Sequence, residues 1–295
     1  MWDYDHHVVP PQSSSATYRL PSVHRGARCF VELATPESRR APICIYDRLD
    51  EPSRGTREEN LAAAEGGEVA VIRYGMAAVN AARVVPTATG DQIVARQILF
   101  GTHSLLTSWL PRYKIRTDFC DLTKPESLTK VATQNCQVVY RETPVNPTME
   151  LIDLRATRQL VDRLNEARAE AAKIRIVVDN TFVPPYRQWP LQHGVDIVVH
   201  SRTKDVGGFG TEMRGAVIGP GTYCNLLMLY RKDFGGVLSP KNARPILVYG
   251  LPTLAARMIS QPKSAMQAAG CLLRCGVWSI RGWQPSRSAN WRTLR

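Results

Sequence analysis

Long apolar runs are absent from the 295-residue chain. No stretch approaches the roughly eighteen uninterrupted apolar residues of a membrane helix. The first twenty residues carry acids and histidines where a secretory leader would have basic residues and then an apolar block. We therefore expect a cytoplasmic protein with no membrane partner. Hydrophobic residues make up 44% of the chain, which is enough for a large globular core.

Cysteines are few and show no paired spacing. The seven are dispersed, and the closest pair, Cys271 and Cys275, has no histidine nearby. An odd, scattered set in a chain of this length fits reduced thiols better than a disulfide framework. Zinc sites need closely spaced cysteine and histidine ligands. We therefore expect no metal site.

Acidic residues are missing from the C-terminal part of the chain. Residues 258–295 contain one lysine and five arginines and no acid, so they hold half of the net charge of +12. A basic segment can bind polyanions, but no helix-turn-helix, zinc-finger or RNA-binding signature accompanies it. We therefore expect a solvated terminal segment and no nucleic-acid partner.

Three well-known motifs of nucleotide-binding and hydrolytic enzymes are also absent. The chain has no G-x-x-x-x-G-K-[ST] phosphate loop and no G-x-S-x-G nucleophile elbow. The "GGFG" stretch after Val206 lacks the G-x-G-x-x-G register between a strand and a helix, which argues against a dinucleotide site.

Predicted strands and predicted helices alternate along most of the chain. This alternation predicts an α/β fold with a mostly parallel sheet that helices cover on both faces. Ligands in such sheets bind beyond the carboxyl ends of the strands. The predicted strands are "EVAVIRYG", "DQIVARQILF", "KIRTDFCDL", "CQVVYRET", "IRIVVDNTF", "VDIVVHS" and "GAVIG". The predicted helices are "TREENLAAAEGG", "MAAVNAARVV", "SLLTSWLPRY", "DLRATRQLVDRLNEARAEAAK" and "RQWPLQHG".

Three predicted strand ends carry residues suited to ligand chemistry. Gly75 begins a helix, where the free amides of Gly75 and Met76 and the helix dipole favour a phosphate; a plain turn is the alternative. Asp179 follows the buried run "IVV" and needs a cationic or donor partner; a helix N-cap or turn aspartate is the alternative.

The third strand end is "VVHSRTKDVGG". Ser201 and Thr203 supply hydroxyls, Lys204 supplies an amine, and two glycines leave space for a ligand. A surface lysine is the alternative when this stretch is taken alone. A phosphate cradle, a half-buried carboxylate and a lysine at neighbouring strand ends are together what pyridoxal 5'-phosphate requires. The sequence therefore predicts a site for this cofactor.

Several longer motifs occur in an order that resembles the Cys/Met-metabolism family of pyridoxal-phosphate enzymes. They are "YDRLDEPSRGTREENLAAAEGGE", "YGMAA", "ETPVNPTMELIDL", "VVDNTF", "DIVVHSRTKDVGGFG", "RKDFGGVLSP" and "YGLPTLAARM". The resemblance covers roughly residues 44–258. It implies the fold-type I large domain and β- or γ-elimination or γ-replacement on sulfur amino acids or homoserine esters, within methionine and cysteine metabolism.

The resemblance also implies roles for single residues. Lys204 would bind the cofactor aldehyde and act as the base, and Asp179 would pair with the pyridinium nitrogen. Ser201 and Thr203, with the amides at Gly75 and Met76, would hold the phosphate.

Other positions follow from the same resemblance. Asn146 would lie near the phenolic oxygen, and Phe100 stands where a stacking tyrosine is usual. Tyr46 and Arg48 would reach a neighbouring subunit's phosphate, since an arginine suits bidentate phosphate contact. The resemblance thus implies a homodimer or homotetramer acting on a small amino-acid substrate.

The chain departs from the family pattern at several positions. Glu51 stands where asparagine is usual, and Arg202 and Arg214 replace small or neutral residues around the lysine loop. Val183 and Arg187 alter the "DNTF" element.

Domain expectations follow from these comparisons of motifs. We expect an irregular N-terminal arm over 1–45, a cofactor-binding large domain over 46–257, and an aberrant tail over 258–295 in place of the family's C-terminal small domain. An alternative function is therefore a truncated, catalytically inactive relative that keeps only cofactor binding or subunit interaction.

Overall fold

The central sheet of the computed structural model has the predicted α/β arrangement. The model describes residues 12–33, 35, 41, 43–96 and 101–275. Across these residues the sheet has seven strands in the order β1-β7-β6-β5-β4-β2-β3. Their bounds are β1 Val69–Arg73, β2 Gln92–Ala95, β3 Arg116–Phe119, β4 Cys136–Glu142, β5 Arg175–Asp179, β6 Ile197–Ser201 and β7 Gly215–Gly219.

Six of these strands run in the same direction. The pairs β2–β3, β2–β4, β4–β5 and β5–β6 are parallel. Strand β7 lies antiparallel to both β6 and β1, so β1 again points the same way as β6. The mostly parallel sheet expected from the alternating sequence pattern is therefore confirmed.

Helices and short helical segments connect the strands. The α-helices are α1 Val23–Leu33, α2 Pro52–Glu65, α3 Gly75–Val84, α4 Thr102–Ser104, α5 Ser127–Val131, α6 Leu154–Asn165, α7 Cys224–Phe234, α8 Pro240–Pro245 and α9 Leu251–Arg274. Segments of 3-10 or π geometry cover Leu105–Trp109, Leu110–Tyr113, Glu170–Ala172, Pro190–His193, Gly221–Tyr223 and Ile246–Gly250.

Both faces of the sheet are buried. On one face, Val139, Val178 and Val198 pack with residues of α2 and α6. On the other face, Val177 and Val199 pack with the alanines of α3. A parallel sheet covered on both faces reads as near-continuous apolar runs, which is why its strands could be recognised in the sequence.

The N-terminal arm differs from the irregular segment expected over 1–45, because α1 forms within it. Gly26, Cys29 and Leu33 are buried and recur every three or four residues, so α1 has one apolar face. The Ser22 hydroxyl accepts a hydrogen bond from the Arg25 amide at 3.0 Å and caps the helix. The proline- and arginine-rich surroundings concealed this periodicity.

Contacts divide the chain into two units between Leu254 and Ala255. The expected tail begins with regular structure, since α9 continues to Arg274. Its alanine, methionine, leucine and glutamine residues are good helix formers. The rest of the expected tail, residues 276–295, lies outside the described residues. Among the helices that the model describes, none has the length and apolar character to cross a membrane.

Candidate active site

The predicted site residues meet at one edge of the sheet. Strands β4, β5 and β6 are parallel, so their carboxyl ends lie together. Asp179 ends β5 and is the Cα partner of Val199, two residues before Ser201 ends β6. Lys204 follows three residues later in a turn. The structure therefore places Asp179 and Lys204 at or just after the ends of adjacent strands, as their positions in the sequence predict.

Gly75 and Ser201, two of the residues predicted to hold a phosphate, lie close together. Gly75 begins α3, and a Cβ on it would stand 3.6 Å from the Arg214 carbonyl oxygen and 4.0 Å from the Ser201 hydroxyl oxygen. No described side chain caps the N-terminus of α3. The first amides of a helix have no partner inside it, which makes a helix N-terminus suited to an anion.

Gly215 brings the backbones of this cradle together. It is the Cα partner of both Arg73 on β1 and Ser201 on β6. A Cβ on Gly215 would stand 2.6 Å from the Gly75 Cα atom. Only a glycine permits so close an approach of two chains. The sequence analysis did not single out this position.

The Thr203 hydroxyl braces the lysine loop. It accepts a hydrogen bond from the Arg214 amide at 3.0 Å, and its oxygen lies 3.4 Å from the Arg214 carbonyl oxygen. Thr203 therefore ties the loop to the residue before β7. Its predicted role as a phosphate ligand stays a prediction.

Backbone hydrogen bonds hold Lys204 in place while its side chain is exposed. The Lys204 amide donates to the Ser201 carbonyl at 3.2 Å. The Lys204 carbonyl accepts from the amides of Gly207 and Gly208, at 3.1 and 2.8 Å. A fixed backbone with an accessible amine suits a residue that must bond covalently to a ligand and exchange with it.

The Asp179 carboxylate is held by its neighbour Thr181. Its Oδ1 accepts hydrogen bonds from the amide and the hydroxyl of Thr181. Burial raises the pKa of Asp179, while the bonds from Thr181 and the charges of His200 and Arg83 oppose that rise. A carboxylate in such surroundings favours a cationic partner at its remaining oxygen.

Glu142 is a second carboxyl group at this edge, and the sequence analysis gave it no role. It ends β4 as the Cα partner of Asp179. Burial, followed by the charge of Asp179, raises the pKa of Glu142 to about 8, and a bond from the Asn146 amide opposes the shift. This bond also brings Asn146 to the same strand end; its expected place near the phenolic oxygen of the cofactor stays a prediction. The rule that identified Asp179, an acid directly after a buried strand, would have identified Glu142.

Tyr46 and Arg48 lie elsewhere on the surface. The Arg48 guanidinium stands 5.4 Å from the centre of the Tyr46 ring, and both side chains are exposed. They line a pocket together with Phe30 and with Lys232 and Asp233 of α7. None of the sheet-edge residues lines it, so the structure does not join this pair to the site of the same chain.

The last predicted contact, Phe100, lies outside the described residues. The next residue, Gly101, is described, and a Cβ on it would stand 3.8 Å from the Met76 sulfur.

The structure shows the contacts of three of the residues that depart from the family pattern. Glu51 is the N-cap of α2, where its carboxylate accepts hydrogen bonds from Ser53 and Arg54 amides. Buried Arg214 donates to the Asn242 carbonyl at 2.6 Å and to Glu212 at 2.8 Å.

Arg202 is fully buried, and none of its three side-chain nitrogens has a hydrogen-bond partner among the described residues. Burial, followed by the neighbouring charge of Arg214, lowers the pKa of Arg202 to about 9.

Comparison with known proteins decides the family. Residues 3–274 match the family described as Cys/Met metabolism PLP-dependent enzymes. The chain belongs to this family. As a member, it takes pyridoxal 5'-phosphate as its cofactor, and the sheet edge fits that group. Gly75 and Ser201 leave space for the phosphate, Asp179 places a carboxylate at the end of β5, and the side chain of Lys204 is exposed.

Relatives with established names include two lyases and a sulfhydrylase. The chain is 37% identical over 266 residues to an L-methionine gamma-lyase of Porphyromonas gingivalis, covering 89% of this chain and 63% of that protein. It is 32% identical over 269 residues to an L-methionine gamma-lyase of Pseudomonas deceptionensis, covering 90% and 64%. An O-succinylhomoserine sulfhydrylase of Pseudomonas aeruginosa is 32% identical over 249 residues, covering 84% and 60%.

A solved structure supports the same fold. The crystal structure of cystathionine gamma-lyase from Lactobacillus plantarum complexed with L-serine matches with a TM-score of 0.76 at 24% identity, covering 89% of this chain and 63% of that one. The family member described here thus spans less than two thirds of the length of these relatives.

Proposed function

We propose that this chain carries the cofactor-binding half of an enzyme that eliminates or replaces a substituent at the β or γ carbon of a sulfur amino acid or homoserine ester. One observation carries the proposal. Asp179, Ser201 and Lys204 lie at two adjacent carboxyl strand ends, with Gly75 opposite the Ser201 hydroxyl. Membership of the Cys/Met family and the likeness to methionine gamma-lyases and a sulfhydrylase support it.

When bound, pyridoxal phosphate stabilises the electron pair left at the substrate Cα atom. The residues of this chain would supply the rest. The amides at the start of α3 and the Ser201 hydroxyl would hold the phosphate. The Asp179 carboxylate would pair with the ring nitrogen and keep it protonated. Lys204 would bind the cofactor aldehyde, and its Nζ would act as the base that takes the proton from the substrate Cα atom.

Lys204 would also act as an acid toward the leaving group of such a substrate. The proton held on its Nζ can be delivered to the departing sulfur or ester oxygen, so one flexible side chain serves two proton transfers. Its exposure and the glycines at 207 and 208 give the side chain the required freedom.

Two further parts of the proposal concern assembly and location. Tyr46 and Arg48 are proposed to complete the phosphate site of a second copy, because both are exposed and away from their own sheet edge. A homodimer or homotetramer follows from this arrangement. The cytoplasmic location expected from the sequence stays a prediction, which cell fractionation tests.

The decisive experiment compares the wild-type chain with Lys204→Ala. After incubation with pyridoxal phosphate and gel filtration, the wild type should be yellow and the variant colourless, because Lys204 is the residue proposed to retain the cofactor covalently. Methionine, cystathionine and O-succinylhomoserine are then offered, and release of a keto acid is measured. Lys204→Arg serves as a control that keeps the charge.

Each outcome separates the candidate functions. Colour with keto-acid release supports catalysis. Colour without turnover of any substrate supports cofactor binding or subunit interaction alone, the alternative raised by the sequence. A folded wild type as colourless as Lys204→Ala would reject both.

A further inference from the structure

Arg83 lies on the buried face of α3, the same helix whose first residue forms the phosphate cradle. Its side chain is fully buried. The guanidinium stands over the ring of Tyr140, 4.4 Å from the ring centre. An arginine in the alanine-rich stretch "MAAVNAARVV" is unusual for a helix packed on a sheet, since a buried charge needs a partner.

The hydrogen bonds of Arg83 leave most of its donors unused. Nε donates to the Val79 carbonyl of the same helix at 3.0 Å. Neither Nη1 nor Nη2 has a hydrogen-bond partner among the described residues. A cation held in this way depends on nearby negative charge rather than on direct bonds for its stabilisation.

The nearby negative charge is Asp179. Tyr140 is the Cα partner of Val177, and both pack on the sheet face that α3 covers. Side chains two residues apart on a strand share a face, so Asp179 leaves β5 on the side of α3 and Arg83. Burial lowers the pKa of Arg83 to about 10, and the charges of Tyr140 and Asp179 oppose that shift.

Charged and titratable groups reach Asp179 from every neighbouring element. Arg83 lies on α3, His200 on β6, and Tyr140 and Glu142 on β4, while Thr181 binds it directly. The charge of Asp179 raises the pKa of Glu142, and the charges of His200 and Arg83 oppose the rise in the pKa of Asp179. Arg83 contributes a permanent charge, because a guanidinium keeps its proton at physiological pH.

We propose that Arg83 is a positioning residue that keeps Asp179 ionised before the cofactor arrives, so that the carboxylate is ready to pair with the ring nitrogen. The inference rests on the proposed function only for the role of Asp179. Arg83 touches neither substrate nor cofactor. It acts on the charge state of Asp179 from α3, which covers this face of the sheet.

The test uses the protein without cofactor. The free energy of unfolding is measured by urea from pH 4 to pH 8 for the wild type, Arg83→Met, Asp179→Asn and the double variant. An acid with a raised pKa loses stability as pH rises until it is fully ionised in the folded state. The part of this loss that disappears on Asp179→Asn is due to Asp179. In the Arg83→Met background, this part of the stability loss should level off roughly one pH unit higher than in the wild type.

Two further variants separate this role from simple packing. Arg83→Lys keeps the charge and should leave the profile of Asp179 near that of the wild type. Arg141→Met removes another fully buried arginine, on β4, whose charge interacts with Asp153 and Cys120 rather than with Asp179. It should change stability without moving the profile. If Arg83→Met does not fold, Arg83→Gln is used in its place, because it removes the charge but keeps a polar group at the end of the side chain.

A profile unmoved by either Arg83→Met or Arg83→Gln, or moved equally by Arg141→Met, would overturn the inference. A second measurement uses pyridoxal phosphate itself. The ratio of its dissociation constants at pH 6 and pH 8 should rise several-fold in Arg83→Met, since more Asp179 is protonated at pH 6. A colourless wild type would reject the proposed function, while the cofactor-free titration would still decide the role of Arg83.

Discussion

Glu142 and Asp179 are Cα partners across β4 and β5, so two carboxyl side chains end neighbouring strands at the same sheet edge. Two like charges so placed resist being ionised together. This is part of the reason that the pKa of Glu142 rises to about 8. The pair gives the site a pH dependence that a single carboxylate would not have.

Glu142→Gln should remove a pH-dependent loss of stability. The folded protein holds a proton on Glu142 up to about pH 8, whereas the unfolded chain releases it near the ordinary value of 4.5. Stability of the wild type therefore falls as pH rises between these values. Urea unfolding at pH 5 and pH 8 should show a smaller fall in the variant. An equal fall in both proteins would contradict this assignment.

Arg202→Met should stabilise the protein. The substitution keeps the approximate volume and removes a buried charge whose nitrogens have no hydrogen-bond partner in the described part of the chain. Replacing a poorly compensated buried ion by an apolar side chain typically gains about 2 kcal/mol. Thermal unfolding without cofactor should show a Tm raised by several degrees, whereas Arg48→Met at an exposed site should change it little. A lower Tm for Arg202→Met would show that Arg202 has a compensating partner.

Gly215→Ala and Gly75→Ala should affect the cradle differently. A Cβ at 215 meets the Gly75 Cα atom at 2.6 Å, which forces two backbones apart and should cost about 2 kcal/mol of stability. A Cβ at 75 makes ordinary contacts, at 3.6 Å or more. Gly75→Ala should therefore fold normally and lose affinity for pyridoxal phosphate, because the methyl group enters the space beside Ser201. Urea unfolding and cofactor titration distinguish the two effects.

Arg48→Ala and Lys204→Ala should complement each other if sites form between copies. Each variant alone lacks one part of every site. A mixed dimer contains one site with Lys204 from one copy and Arg48 from the other, so co-expression should restore part of the yellow colour. Mixing the proteins after separate purification and refolding gives the same comparison. Absence of restoration would indicate that Arg48 serves the site of its own chain or none.

The sequence predicted the sheet, and the strand-end positions of Asp179 and Ser201, because each depends on local signals. Buried parallel strands appear as apolar runs, and the residues that follow them define the ligand-binding edge. Gly75, Asp179 and Lys204 were all identified in this way, from the chain itself, before any comparison.

The missed features depend on contacts between distant segments. Gly215 matters because β7 brings it against Gly75, 140 positions away in the chain. The sequence shows that Arg83 is a charged residue four positions after Val79 on an apolar helix face. It does not show that Arg83 lies near Asp179, because Asp179 belongs to another element. Helix α1 was missed because only three of its residues are buried.

Strand β7 sets an order of events during synthesis. It lies between β1 and β6, and its Gly215 is the Cα partner of both Arg73 and Ser201. Strand β1, which pairs with β7, can therefore join the sheet only after β7 has been synthesised. A nascent chain can build β2 to β6 earlier, but the pocket for the vitamin-derived ligand closes only when the segment through Gly219 has been made.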